Sequence, residues 1–523
     1  MKKTSITHNS FSLRYMAVSA PQWISNGGVI NSYSLNSRTP FSLQNAVRLG
    51  AYDALNTNNT WSQSKWSNQD LLKDSVFLMN YFEEEKEFFI KKLLEIRPKI
   101  LFLGAMTLCY PGAIKLAGIA KRYLGNEVFI VLGGKHPTET IYSSGDIKHH
   151  SGSPIRHIQH NLIPNVFDLV VSGDGEEVVQ NLGEVLGRDI LDGLAFRNFS
   201  DYKDSFSNIK GRFILSWIDD EKVQNIESKK LLDYDKLPSP VSLFGVSTRF
   251  PVFHKDYTAH VYSDIGKGCM YDCFFCSERR TVNGTVGHHK NPELRLYNQL
   301  KEVTDIHTSV SAFIEDSILL MGIPKNLNNL ANLLEKDPLD ISFGGQLTID
   351  NLLDEKVQAG ILRLKAMGLS YVFTGIETSN EEIAQTMSKN NHKKGNWMDK
   401  NKNALKFMLD IGLNVGVSVL WGLGEDHSTR IEQLKFLSKI QKKYPKLNCV
   451  SLNWATQHPL FNQSVHSFVE WGTDKNSEYL SYFIELFGEA SEKYILDGIE
   501  LPNIDELSEL KSLFESLTIK NIT

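Results

Sequence analysis

Three cysteines, Cys269, Cys273 and Cys276, stand at C-x3-C-x2-C spacing in the stretch GKGCMYDCFFC, directly after an apolar run. Three thiolates on one short loop can hold three irons of a cubane cluster and leave the fourth iron open to a small molecule. A structural zinc site is the other chemistry open to such a trio. It wants four ligands, usually from paired C-x2–4-C or H-x3–5-H units. Of the 5 cysteines in the chain, the other two, Cys109 and Cys449, are isolated, and the adjacent His288 and His289 do not form the usual half-site. An odd count in 523 residues also argues against a disulfide scaffold. The missing fourth ligand favours an iron–sulfur cluster with one unligated iron over zinc.

These residues need a scaffold that aims them. From His260 onward six β-α repeats can be traced, with strands beginning near Val261, Ser311, Ile341, Tyr371, Val415 and Val450. Helical stretches lie between them at 292–304, 326–334, 355–366, 380–387, 400–409 and 428–441. Six parallel strands with right-handed crossovers curve into a partial barrel, whose chemistry belongs at the carboxyl ends of its strands. The second strand ends in Glu315 and Asp316, which can accept charge-assisted hydrogen bonds. The third ends at Gln346 and the fourth at Gly375-Ile376-Glu377-Thr378. The sixth carries Trp454 and His458. Each carboxylate can equally cap the helix that follows it, Trp454 can equally pack in the core, and Cys449 reads as a buried, inert thiol. A helical tail follows from about Ser477.

The N-terminal part alternates as well. Apolar strands are expected at 13–20, 100–105, 128–132 and 167–171, with helices at 40–55, 81–95 and 113–124 and an insertion over about 56–95. Such alternation predicts a parallel, doubly wound sheet. Its Gly-rich turns, Gly133-Gly134-Lys135-His136 and Gly173-Asp174-Gly175-Glu176, fall at strand ends, where such sheets bind ligands. Turns of this kind are generic on their own, and His136 can equally cap a helix or pack. Pro238 and Pro240 mark a boundary, because proline blocks both helix and ladder. The expected division is 1–230, a linker over 231–255, a barrel over 256–465 and a helical region over 466–523.

The cysteine loop resembles that of the radical S-adenosylmethionine (SAM) superfamily. The two Gly-rich turns resemble those of the cobalamin-binding domain that precedes many radical SAM cores. The resemblance implies a Rossmann-like cobalamin-type domain followed by a partial (β/α)6 barrel, a [4Fe-4S] cluster, SAM and cobalamin. It implies that the reduced cluster cleaves SAM to a 5'-deoxyadenosyl radical. It assigns the cluster to Cys269, Cys273 and Cys276, adenine packing to Phe275, and the SAM amino group to Glu315 and Asp316. Ribose or substrate falls to Gln346, and ribose or methionine groups to Glu377. Cobalamin falls to Gly133, Gly134, His136, Gly173, Gly175 and Glu176. Two departures stand out. There is no D-x-H-x-x-G, so no histidine offers itself as a lower cobalt ligand. Ser418 and Leu420 also replace the Ile and second Gly of a Gly-x-Ile-x-Gly element, unless the register slides by two.

The implied activity is cobalamin-dependent methylation of an unactivated carbon of a small molecule or peptide, with a flavodoxin- or ferredoxin-type electron donor. The alternatives are a radical rearrangement, ring contraction or cyclisation, and a regulatory protein that binds SAM or cobalamin without turnover. Methylthiolation would need a second cysteine trio, which the chain lacks. A net charge of -5 gives no electrostatic footprint for nucleic acid. No apolar run approaches the roughly 20 residues of a membrane span, and no apolar segment follows the basic N-terminus. A cytoplasmic setting is expected.

Overall fold

The computed structural model describes residues 14–21, 76–79, 82–191, 196–232, 239, 241, 250–263, 265–267, 269–276, 278, 285–286, 290–387, 389, 395–457, 468–470, 477–488 and 492–518. The helix expected at 40–55, most of the insertion, His288, His289 and His458 lie outside them. The chain divides into two units. The first is Met1–Pro238 with Val465–Trp471, and the second is Ser239–Ser464 with Gly472–Thr523.

In the first unit, runs of consecutive apolar residues make strands buried on both faces, as parallel sheets require. These are β1 (Tyr15–Ser19), β3 (Ile100–Gly104) and β4 (Phe129–Gly133), and β2 (Val76–Leu78) pairs in parallel with β1. A small hairpin of β5 (Ile141–Ser144) and β6 (Asp146–His149) stands apart, and β7 (Leu169–Gly173) returns to the sheet. The sheet is then extended by β8 (Gly211–Asp219) and β9 (Lys222–Lys230), giving the order β2-β1-β3-β4-β7-β8-β9. The expected all-parallel sheet is thus corrected at one edge: β7–β8 and β8–β9 are antiparallel. A tight turn joins β8 to β9, so no crossover helix is needed.

The second unit carries β10 (Tyr257–Val261), a two-residue ladder of β11 (Gly266–Lys267) and β12 (Thr285–Val286), and then β13 (Val310–Ile314), β14 (Ser342–Gln346), β15 (Leu369–Glu377), β16 (Asn414–Trp421) and β17 (Leu447–Trp454). The six long strands are parallel and follow in chain order, β10-β13-β14-β15-β16-β17. With every crossover of one hand the sheet never reverses, and it curls into a half-barrel. Val261 closes the first strand and does not open it, contrary to the expected register. The helices Pro292–Ile306, Pro324–Lys336, Glu355–Ala366, Trp397–Asp410 and His427–Lys443 alternate with the strands, and two more, Ser477–Phe487 and Ile504–Thr518, follow. Side-chain caps set several starts: Asp354, Asn396 and Asp426 accept from the first free backbone N–H groups of their helices.

Alternation along the barrel strands separates two surfaces. Val261, Ala312, Ile314, Phe343, Val372, Ile376, Val417, Val419, Val450 and Leu452 join the helix leucines in one apolar core. Each Val, Ile, Leu or Phe among them, when fully buried, contributes about 1.5–3 kcal/mol. The opposite surface carries Thr258 and His260 in register with Ser311 and Phe313, then Gly344, Gln346, Tyr371, Phe373, Glu377, Ser418, Ser451 and Asn453. Apolar packing is spent outside, so the inner wall is free to be polar.

Candidate active site in the half-barrel

The inner wall has an aromatic floor. Phe253, Phe313 and Tyr371 pack together, with Val252 and Phe373 against them. Gly344 and Gly416 leave room for the Tyr371 ring: a Cβ at Gly344 would lie 2.6 Å from the Tyr371 carbonyl, and one at Gly416 2.1 Å from its hydroxyl.

Above this floor the chain leaves β10 through a clamp. The Tyr262 N–H donates to Gln299 Oε1 at 3.1 Å, and Gln299 Nε2 donates to the Tyr262 carbonyl at 2.8 Å. The Ser263 N–H donates to Asp316 Oδ1 at 2.9 Å and its hydroxyl to Oδ2 at 2.5 Å. Asp316, expected on the SAM amino group, thus also holds this exit in place. The neighbouring Glu315 pairs through Oε1 with Nδ1 of His260, both side chains being buried. Gln346 ends β14 on the inner wall and is half-buried.

The clamped exit leads into the cysteine loop. Its base is tied by the β11–β12 ladder. The Cys269 N–H donates to the Glu278 carbonyl at 2.5 Å, and the Cys276 N–H to the Cys273 carbonyl at 3.0 Å. All three cysteines are half-buried. Burial first, then the charges of the other two thiols, pushes Cys273 up to about 11, against a lowering contribution from Lys389. Burial also raises Cys269, with Cys276 adding to it. Among the described residues no three His, Cys, Asp or Glu side chains are already gathered as a metal-holding group, and the fit rests on donor type, three half-buried thiols on one short loop. This soft donor set fits a cluster.

Beside the loop the fourth long strand ends under strain. Glu377 has φ 53, a left-handed conformation, next to an irregularity in the β15–β16 register. Such backbone costs of order 1–3 kcal/mol and persists only when its surroundings enforce it. Several contacts do so. The Glu377 carbonyl accepts from Gln433 Nε2 at 3.2 Å, and Trp421 Nε1 donates to Gln433 Oε1 at 2.9 Å. Glu377 Oε1 lies 2.9 Å from Lys389 Nζ, and Oε2 accepts from the Ser418 hydroxyl at 3.4 Å. Asn453 Nδ2 donates to the Ser418 oxygen at 3.1 Å. Ser418, the departure from the glycine–isoleucine element, is thus the middle of a polar chain across three strands. Lys389 also lies 5.6 Å from the Phe275 ring centroid. The sequence reading missed Lys389; its segment carries no motif, and only the fold brings it to the loop. Glu425 was missed as well. It accepts from the Gly422 and Leu423 N–H groups and from Arg430 Nε at 2.9 Å, which fixes the turn after β16. Trp454 is 2% exposed and packs on Phe483 and Phe487, so it belongs to the core and not to a substrate surface.

In the first unit the Gly-rich turns sit at the carboxyl ends of β4 and β7. Gly134 (φ 98) presses on Ala105, whose backbone nitrogen would lie 2.7 Å from a Cβ. Gly173 (φ 89) presses on the Arg212 carbonyl, 2.2 Å from a Cβ. Packing inside the unit therefore demands both glycines. Gly133 is different: a Cβ there would meet only the Val171 carbonyl, at 4.0 Å. Among the described residues no neighbour requires that glycine, so it forms a ledge at the strand end, which fits a flat macrocycle set close to the backbone. Gly175 accepts from the Val179 N–H and Glu176 opens the helix Glu176–Leu191. His136 moves from the expected rim to the core. It is 0% exposed, stacked on Tyr110 at 4.1 Å, with Nε2 on the Gly152 carbonyl at 3.0 Å and Nδ1 3.3 Å from the Thr107 hydroxyl. With both ring nitrogens engaged it offers nothing to cobalt.

Among solved structures, the cobalamin-dependent S-adenosylmethionine radical enzyme OxsB with aqua-cobalamin and S-adenosylmethionine bound matches with a TM-score of 0.51 at 14% identity. The match covers 82% of this chain and 52% of that one. Its form with aqua-cobalamin alone gives the same values. The selenomethionine-labelled apo form gives 0.50 at 15% identity, over 74% of this chain and 49% of that one. The chain thus spans about half the length of the structures it matches. The likeness shows the fold alone: the elements of this chain are arranged as in the matched part of OxsB. No family model and no curated protein matches it.

Proposed function

We propose that the chain is a radical SAM enzyme that uses cobalamin to methylate an unactivated carbon of a small molecule or peptide. The observation that carries the proposal is the half-buried trio of Cys269, Cys273 and Cys276, set on a stapled loop at the carboxyl end of the first barrel strand. When bound, the cluster supplies the electron that cleaves SAM to a 5'-deoxyadenosyl radical, and methylcobalamin supplies the methyl group.

The chain's own residues bind, orient and exclude water. Cys269, Cys273 and Cys276 hold three irons. Asp316 and Gln299 fix the angle at which the loop leaves β10. Phe275, within reach of Lys389, offers a face for adenine. Gln346 offers an amide on the inner wall for the polar groups of SAM, and the Glu377 carboxylate beside it is held by Lys389 and Ser418. The aromatic floor of Phe253, Phe313 and Tyr371 closes the wall below them, which keeps water from a reactive carbon radical. Gly133, Gly173 and Gly175 supply the strand-end rim for the corrin, without a histidine on cobalt.

Anaerobic reconstitution tests the proposal. One cubane gives about four irons per chain. Incubation with a reductant, SAM and a candidate substrate should give 5'-deoxyadenosine together with S-adenosylhomocysteine, the mark of methyl transfer. 5'-Deoxyadenosine without S-adenosylhomocysteine would point to the rearrangement class. Reconstituted protein that forms neither would sink the enzymatic reading.

A further inference from the structure

We propose that Lys389 is a positioning residue that tunes the cluster: its ammonium, anchored by Glu377 beside the cysteine loop, raises the reduction potential of the iron–sulfur group. The inference rests on the cluster reading above. The ammonium lies 2.9 Å from Glu377 Oε1 and 5.6 Å from the centroid of Phe275, the residue next to Cys276. Its side chain is only 17% exposed. The ammonium favours the charged forms of both the Cys269 and Cys273 thiols.

The chain is shaped to hold this pair. A Cβ at Gly375 would lie 2.1 Å from Glu377 Oε1 and 3.1 Å from Lys389 Nζ, so the missing side chain is the space the pair occupies. The left-handed backbone at Glu377 turns its carboxylate toward that space, and Gln433 holds the carbonyl. The Ser418–Asn453 contacts steady the other carboxylate oxygen. A lysine that merely decorated the surface would need none of this.

Reduction adds one electron, and so one negative charge, to a group held by three thiolates. The electron comes from an external low-potential one-electron donor. No proton moves, and Lys389 and Glu377 keep their charges. A fixed cation in a poorly hydrated site stabilises the more negative state, because Coulomb interactions there are weakly screened. Net charge and surroundings are what set the potential of such clusters.

The test uses the full chain, reconstituted anaerobically, with iron counted and the potential read by EPR during dithionite titration. K389R should keep the wild-type potential. K389M should shift it negative and E377Q should shift it positive, with iron content unchanged. A merely structural role would not move the two variants in opposite directions. K389M at the wild-type potential with full iron overturns the inference and leaves the cluster reading standing. Wild-type protein that takes up no iron overturns both. If K389M alone takes up no iron, E377Q decides: a positive shift supports the inference, and none or a negative one overturns it.

Discussion

The carboxyl ends of the strands are finished differently in the two units. In the first unit they are sealed by packing: Gly134 and Gly173 lie against backbone atoms, and His136 is stacked and fully hydrogen-bonded. Gly133 differs, since among the described residues a Cβ there would meet the Val171 carbonyl at 4.0 Å. In the half-barrel the same positions carry charge and strain, in His260–Glu315, Glu377–Lys389 and the cysteine loop. A sealed end offers shape to a preformed cofactor. A charged, strained end offers directed electrostatics to a reaction. The motifs of the first unit therefore speak mainly of folding, and those of the second of chemistry.

The contrast can be broken most sharply at Cys273. Cys273→Ala should abolish 5'-deoxyadenosine formation while thermal unfolding changes little; a large loss of stability would show the loop to be structural. Gly173→Ala should do the reverse. It puts a Cβ 2.2 Å from the Arg212 carbonyl at φ 89, so destabilisation of about 3 kcal/mol is expected in urea unfolding. An unchanged midpoint would remove the packing account of that turn.

A pH experiment comes next. His157 is 0% exposed, and its Nδ1 is 3.1 Å from the Tyr110 hydroxyl. Its Nε2 meets no hydrogen-bond partner among the described residues. Burial, with His150 and His160 adding their charges, lowers its pKa from 6.5 to about 4. The unfolded chain therefore binds more protons between those values, so stability is full above pH 6.5 and is lost as pH falls toward 4. The loss is on the order of 3 kcal/mol at most. His157→Phe should flatten that slope in urea midpoints measured from pH 7 to 4.5; an unaltered slope would clear His157 of the effect. The smallest effect on stability is expected at the exception, Gly133→Ala, within about 0.5 kcal/mol. Its cobalamin content after purification should nonetheless fall below wild type. Equal content would close the ledge as a binding feature.

Much of the half-barrel was legible because period and punctuation agree there. The helix at 355–366 is found where expected, preceded by its Asp354 cap. The register of β10 was misread because Thr258 and His260 face the inner wall and interrupt the apolar run. The β8–β9 hairpin carries little strand signal in the sequence. In β8 the five residues Phe213 to Trp217 are all buried, so no alternation shows, and β9 is mostly polar. Ser418 was legible as a departure, but its meaning needed Glu377 and Asn453 from neighbouring strands. His136 misled because a motif position records residue type and not which way the ring faces.

The last strand of the first sheet has a consequence for handling the protein. An outermost strand exposes unpaired amides and carbonyls and invites another chain to add on. Here that strand, KVQNIESKK, opens on one lysine and closes on two, and these ends are exposed. Approach of a second such edge would bring like charges together and strip water from ammonium groups. The protein can therefore be concentrated for anaerobic work with little tendency to polymerise through that border.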